Sequence, residues 1–105
     1  MSKKAIQIDH KDNVATVTSD VQAGELVEVL SPAGKIILET KPVEDIMFGH
    51  KLALKAFKTG DQVIKYGEVI GVASKPINIG EWVHTQNVDS ARMNTAGEEV
   101  KGVTS

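Results

Sequence analysis

INIGEWVHTQN, residues 77–87, opens with a form that recurs along the chain: apolar residue, two residues, Gly, acid, one residue, Val. The same form stands at VQAGELV (21–27) and FKTGDQV (57–63). Gly24, Gly60 and Gly80 suit turns that need positive φ. Each turn leads into a strand-like stretch: LVEVL, QVIKYG and WVHTQ. With apolar residues fixed at both ends, the form reads as a device that turns the chain and starts a strand. The copies are unevenly spaced, which excludes a solenoid repeat.

Working outward, AIQI (5–8), VATVT (14–18), LVEVL (26–30) and KIILE (35–39) are short and rich in β-branched residues, as strands are. HKDN (10–13) and SPAG (31–34) supply turn chemistry between them. VIKYGEVIGVAS (63–74) reads as strand, glycine turn, strand. HKLALK (50–55) alternates, with His50, Leu52 and Leu54 on one face and Lys51, Ala53 and Lys55 on the other. Leu, Ala and Lys also favour helix, but the Gly-acid turn that follows selects strand. VEDIMF (43–48) is expected to hold one helical turn. The fold class is therefore mainly β: a small compact clip- or barrel-like unit of short strands, with at most one or two short helical turns. It is expected to occupy residues 1–88, with 89–105 as a polar C-terminal tail or linker stump.

A chain of 105 residues suits one domain. Apolar residues make up 41%, enough to drive folding. The aromatics are few (Phe48, Phe57, Tyr66 and Trp82), so aliphatic side chains must fill the core. A net charge of −2 without a basic block gives nucleic acid no electrostatic footing. The absence of Cys removes disulfides, thiolate catalysis and thiolate zinc sites. No apolar run follows the first lysines, and no stretch reaches the roughly 20 apolar residues of a membrane span. A cytoplasmic protein without membrane contact is expected.

No G-x-S-x-G elbow, phosphate loop or dinucleotide fingerprint is present. His10 lies in a polar turn and reads as solvated. His50 follows Phe48-Gly49, where the backbone can approach another group closely. His84 shares a strand face with Trp82 and Gln86 if alternation holds. Two such histidines can share a metal, bind an anion, or make structural hydrogen bonds at strand ends. Lys51 and Lys55 fall opposite His50, on a face that either holds a carboxylate or meets solvent. Lys65 and Tyr66 stand at a rim or a site. Trp82 is a core anchor or a pocket wall, and Asn87 can cap the turn after its strand.

Taken in order, FGHKLAL, GDQVIKYGEVIG and GEWVHTQN resemble the altronate/galactarate dehydratase family, specifically its small N-terminal SAF-type β-clip domain, over about residues 5–92. The resemblance implies the small subunit of a hydro-lyase that dehydrates a sugar acid such as altronate or galactarate. It implies a larger catalytic subunit as partner and an anionic sugar acid as substrate, and leaves homo-oligomerisation open. A related two-subunit enzyme, (2R)-sulfolactate sulfo-lyase, supplies an alternative, and a non-catalytic binding or assembly module a third. A divalent metal, iron or manganese, is implied, held mainly by the larger partner. The family's Gly-His-Lys falls on Gly49, His50 and Lys51, and its K-Y-G-E on Lys65, Tyr66, Gly67 and Glu68. Its closing V-H-T-H-N falls on Val83, His84, Thr85, Gln86 and Asn87, so Gln86 replaces the second histidine. Gln hydrogen-bonds hydroxyls but is a poor metal ligand. The implied catalytic residues are His50 and His84, which are also the metal candidates. The implied substrate contacts are Lys51, Tyr66, Trp82, Gln86 and Asn87. A sulfonate calls for a further cation, for which Lys51, Lys55 and Arg92 are available. The chain ends where the larger region would begin, so a free-standing small subunit is expected.

Overall fold

A computed structural model describes residues 2–90 of the chain, and the described residues contain strands, turns and bends but no helix. The strands are β1 (Lys3–Ile6), β2 (Val14–Val17), β3 (Val27–Leu30), β4 (Ile36–Thr40), β5 (Lys51–Ala53), β6 (Gln62–Lys65), β7 (Glu68–Ala73), β8 (Trp82–Val83) and β9 (Val88–Ser90). They form a six-stranded sheet in the order β4-β3-β1-β2-β5-β8 and a three-stranded sheet in the order β6-β7-β9. Among the described residues only the β1–β3 pair is parallel.

Period-two alternation explains how so short a chain builds two cores. Strands β2 and β5 pair with Ala15 opposite Leu52 and Val14 opposite Ala53. Ala15, Val17 and Leu52 face one way and join Ala5, Val21, Val27, Val29 and Ile46 in the first core. Val14 and Ala53 face the other way and join Phe57, Val63, Ala73, Ile77 and Val83 in the second. The β2–β5 pair is therefore buried on both faces.

The recurring turn device has one geometry at all three sites. The first residue is buried: Val21, Phe57 and Ile77. The glycine lies at φ +88° in Gly24, +94° in Gly60 and +83° in Gly80. The acid's N–H closes the turn onto the carbonyl of the second residue, while its carboxylate accepts that residue's N–H: Glu25 from Gln22 at 2.7 Å, Asp61 from Lys58 at 2.8 Å, Glu81 from Asn78 at 2.9 Å. A fourth copy, IMFGHKL (46–52), has Gly49 at φ +86° and His50 in place of the acid. The copies pair two by two. Val21 and Ile46 exchange backbone hydrogen bonds of 2.8 and 2.9 Å, and Phe57 and Ile77 exchange bonds of 2.8 and 3.0 Å. The hairpins β3–β4 and β6–β7 lie between the members of each pair, so the chain repeats one plan twice.

Three expectations are corrected. Residues 43–48 hold no helical turn, because the Ile46 backbone is committed to the bridge with Val21. The strand in HKLALK is confined to Lys51–Ala53, since the next device begins at Phe57. The strand in WVHTQ ends at Val83, and residues 85–87 form a turn. Residues 91–105, which include Arg92 and most of the expected tail, lie outside the described residues.

Gly60 tests the device, because a side chain there meets open space and the cost is conformational alone. A non-glycine residue in such a conformation costs on the order of 1–3 kcal/mol, most for a β-branched one. Gly60→Val is expected to lower the thermal midpoint by roughly 5–15 °C, read by circular dichroism. An unchanged melting curve contradicts this.

Candidate functional site

Where β8 ends, three rings from different parts of the sequence meet. Leu52 pairs with Trp82 and Lys51 with Val83 across β5–β8. Trp82 lies on the first-core side and packs against that core. His50, at the head of β5, accepts a 3.2 Å hydrogen bond at Nδ1 from the Trp82 indole Nε1–H. His84, one residue past β8, stacks on Trp82 with centroids 5.4 Å apart and planes 10° apart. It also meets His50 edge-on at 4.9 Å.

His84 joins this cluster to a cavity of about 380 Å³ on the second-core side. That volume falls within the range of small-molecule sites. Lys51, His84 and Thr85 bring polar side chains to it, Ile70, Val83 and Val88 bring apolar ones, and Asp89 and Ser90 come from β9. Lys51 is half-buried on β5, and its ammonium makes no ion pair among the described residues. Burial, and then the neighbouring Lys65 ammonium, push its pKa down. Burial pushes His84 down as well, followed by the proximity of His50 and then of Lys51. Every one of these causes disfavours positive charge, so a bound anion would relieve them.

The remaining expected residues are placed as follows. Asn87 is fully buried. Its Oδ1 accepts the His84 N–H at 3.0 Å and its Nδ2 donates to the Trp82 carbonyl at 2.8 Å, so it is the internal brace of the turn that presents His84. Gln86 is exposed on that turn, with a long 3.4 Å bond to the Trp82 carbonyl. Tyr66 is 63% exposed on the β6–β7 turn. It has φ +59° beside Gly67 at +73°, the pattern of a two-residue type I′ hairpin. Buried Asp12 holds this turn by accepting the N–H groups of Tyr66 and Gly67 at 3.1 and 2.8 Å. The Tyr66 ring meets the Lys65 ammonium, 4.9 Å from its centroid, and not the histidine cluster. Lys55 turns to Asp61 at 3.4 Å and to the Phe57 ring. Sequence reading missed Thr85, Val88, Asp89 and Ser90 as cavity residues. Their signal was weak: they follow a strand that ends earlier than alternation suggests.

The site does not fit a metal centre of its own. Among the described residues, no three His, Asp or Glu side chains stand together as a ligand set. The His50 Nδ1 lone pair is taken by Trp82. Lys51 stands close enough to His84 to lower its pKa, and such a cation opposes a second one.

Fold and site define a small all-β domain with a cleft at a strand edge, where the half-buried Lys51 and His84 face a lining that also includes Asp89. The family model of the altronate/galactarate dehydratase SAF domain matches residues 3–91, and the chain belongs to that family. It is 40% identical over 85 residues to the altronate dehydratase of Bacillus subtilis, covering 81% of this chain and 16% of that one. It is 34% identical over 95 residues to the (2R)-sulfolactate sulfo-lyase subunit alpha of Chromohalobacter salexigens, covering 88% of this chain and 99% of that one. The corresponding subunit of Paracoccus pantotrophus is 52% identical over 48 residues, covering 46% of this chain and 72% of that one. The chain thus spans about a sixth of the Bacillus dehydratase and nearly all of the Chromohalobacter subunit. Among the described residues, no helix is long and apolar enough to cross a membrane.

Two measurements check the site. Asn87→Ala leaves the His84 N–H and the Trp82 carbonyl without their partner, and is expected to cost about 2 kcal/mol or more in chemical denaturation. Gln86→Ala should stay within about 0.5 kcal/mol of the wild type, and equal effects would contradict the assignment of Asn87 as the brace. The second is an NMR titration, in which His84 should protonate below its ordinary value of 6.5. As pH falls through that value the unfolded chain binds a proton before the folded one does, so this term of stability, present above it, is lost on acidification. Lys51→Met should move the His84 midpoint upward. A midpoint at or above 6.5 in the wild type contradicts the burial of His84.

Proposed function

We propose that this chain is the substrate-binding half of a two-part lyase site that dehydrates an anionic sugar acid, with a larger catalytic chain, in the cytoplasm. One observation carries the reading: the half-buried Lys51 ammonium beside neutral His84, with no ion pair among the described residues. Leaving such a charge unpaired is costly, and a substrate carboxylate would neutralise it.

The reaction removes the proton beside the carboxylate, breaks the bond from the next carbon to its hydroxyl, and leaves an enol that rearranges to a 2-keto-3-deoxy acid. It needs a base for the carbon-bound proton, a proton for the departing hydroxide, and positive charge near the carboxylate as electrons move towards it. In this reading Lys51 holds the carboxylate. His84, neutral because burial depresses its pKa, accepts a hydrogen bond from a substrate hydroxyl. His50 and Trp82 do not line the cavity; where the larger chain completes the site, the Nε2–H of His50 donates a hydrogen bond to the departing hydroxide, and the proton that makes it water comes from the larger chain. The base, and the divalent metal that the family implies, fall to the larger chain. The domain alone is then expected to bind without turning over.

A second reading, the small subunit of a (2R)-sulfolactate sulfo-lyase, is favoured by a match that spans nearly all of the Chromohalobacter subunit. The leaving groups separate the two. Hydroxide needs a proton to depart, whereas bisulfite is stable as an anion and needs little help.

The test begins by recovering the chain with its native partner and assaying the complex on altronate, galactarate and sulfolactate. His84→Ala is expected to lower kcat/KM by roughly 10–10²-fold, the worth of one lost hydrogen bond, and Lys51→Met to raise KM about tenfold or more, the worth of one charged contact. His50→Ala should cost far more on a sugar acid than on sulfolactate. Wild-type kinetics in the Lys51 and His84 variants would refute the reading. Recovery of the folded chain without a partner would point to a binding module that works alone.

A further inference from the structure

His50 occupies a position that the fold elsewhere gives to a carboxylate. In the copies at 21–27, 57–63 and 77–83 the fifth residue is Glu25, Asp61 or Glu81, and it ties down the N–H of the second residue. In the copy at 46–52 the backbone keeps its shape. The His50 N–H closes the turn onto the Met47 carbonyl at 3.0 Å, and Gly49 keeps its positive φ. No side chain among the described residues accepts the Met47 N–H. The turn is braced from outside: Asp20, the residue before the first copy, accepts the Phe48 N–H at 2.8 Å. Asp45, its counterpart before this copy, returns the contact to Ala23 at 2.8 Å.

The imidazole makes no hydrogen bond within its own turn among the described residues, and it lies against Trp82, 5.6 Å between ring centroids. Indole N–H donates only. The Trp82 bond to Nδ1 therefore requires that nitrogen to be unprotonated, and neutral His50 then carries its proton on Nε2. No partner for Nε2 stands among the described residues.

We propose that Trp82 is a positioning residue for His50: its indole N–H fixes the ring as the Nε2–H tautomer, a hydrogen-bond donor. This deepens the reading of the cleft as a substrate site, on which its purpose rests. The device itself can be tested without substrate, so failure of one is distinguishable from failure of the other.

The first test is a long-range 1H–15N correlation spectrum of the histidine rings in the full chain above the histidine titration range. Wild-type His50 is expected to show the Nε2–H pattern, and Trp82→Phe, which keeps an aromatic ring but has no donor, to show a mixture of tautomers. An Nδ1–H pattern in the wild type, or a spectrum unchanged by Trp82→Phe, overturns the role of Trp82. A purely packing role for the indole would leave the tautomer where it was. The second test restores the missing acid. His50→Glu is expected to raise the thermal midpoint by about 4 °C, as one recovered hydrogen bond should, while the assembled enzyme loses turnover. A His50→Glu midpoint at or below the wild type overturns the reading that His50 stands where the turn would take a carboxylate.

Discussion

The pairing of β2 with β5 is the constraint on which the rest of the structure depends. Because side chains alternate across a strand, Ala15 and Leu52 serve the first core while Val14 and Ala53 serve the second. A slip of one residue would exchange the contents of the two cores, so the register is fixed from both sides at once. The same pairing carries the site. His50 enters β5 on the first-core side, Lys51 follows on the other, and β8 lies alongside to bring Trp82 and His84 to them.

Burial is the largest influence on the two titratable groups of the cleft, Lys51 and His84. Burial and the proximity of Lys65 disfavour the charged form of Lys51, and the same kinds of force keep His84 neutral. A ligand that brings negative charge relieves both, whereas a metal ion would add to them. The matched region makes up 16% of one relative and 99% of another, so a related β unit occurs both within a much longer chain and as nearly a whole subunit.

Much of the fold was legible because its turns have strict requirements. Gly24, Gly60 and Gly80 followed by an acid advertise positive φ and a carboxylate cap, and both are present in the structure. The fourth copy escaped notice because His50 stands where the acid should be, and with it went the internal two-fold plan. VEDIMF looked helical because local propensity says nothing of Val21, 25 residues away, to which Ile46 is bonded. At the site, His50, Lys51, Trp82 and His84 were recognisable as residues, but their convergence was not. Alternation would have carried the strand on through Gln86, whereas buried Asn87 folds the chain back after Val83 and leaves His84 at the junction of the ring cluster and the cavity. A buried amide that braces a turn and an exposed one that meets a ligand look alike in sequence.

The central claim is that this chain alone carries an anion-selective cleft at Lys51 and His84. The most direct test titrates the isotope-labelled chain with galactarate and, in parallel, with galactitol, a neutral polyol of the same carbon skeleton. The account predicts saturable amide shifts at Lys51, His84, Thr85 and Val88 with the diacid, and no saturable shifts with the polyol. Identical responses to the two compounds, or shifts confined to residues away from the cavity, would contradict it.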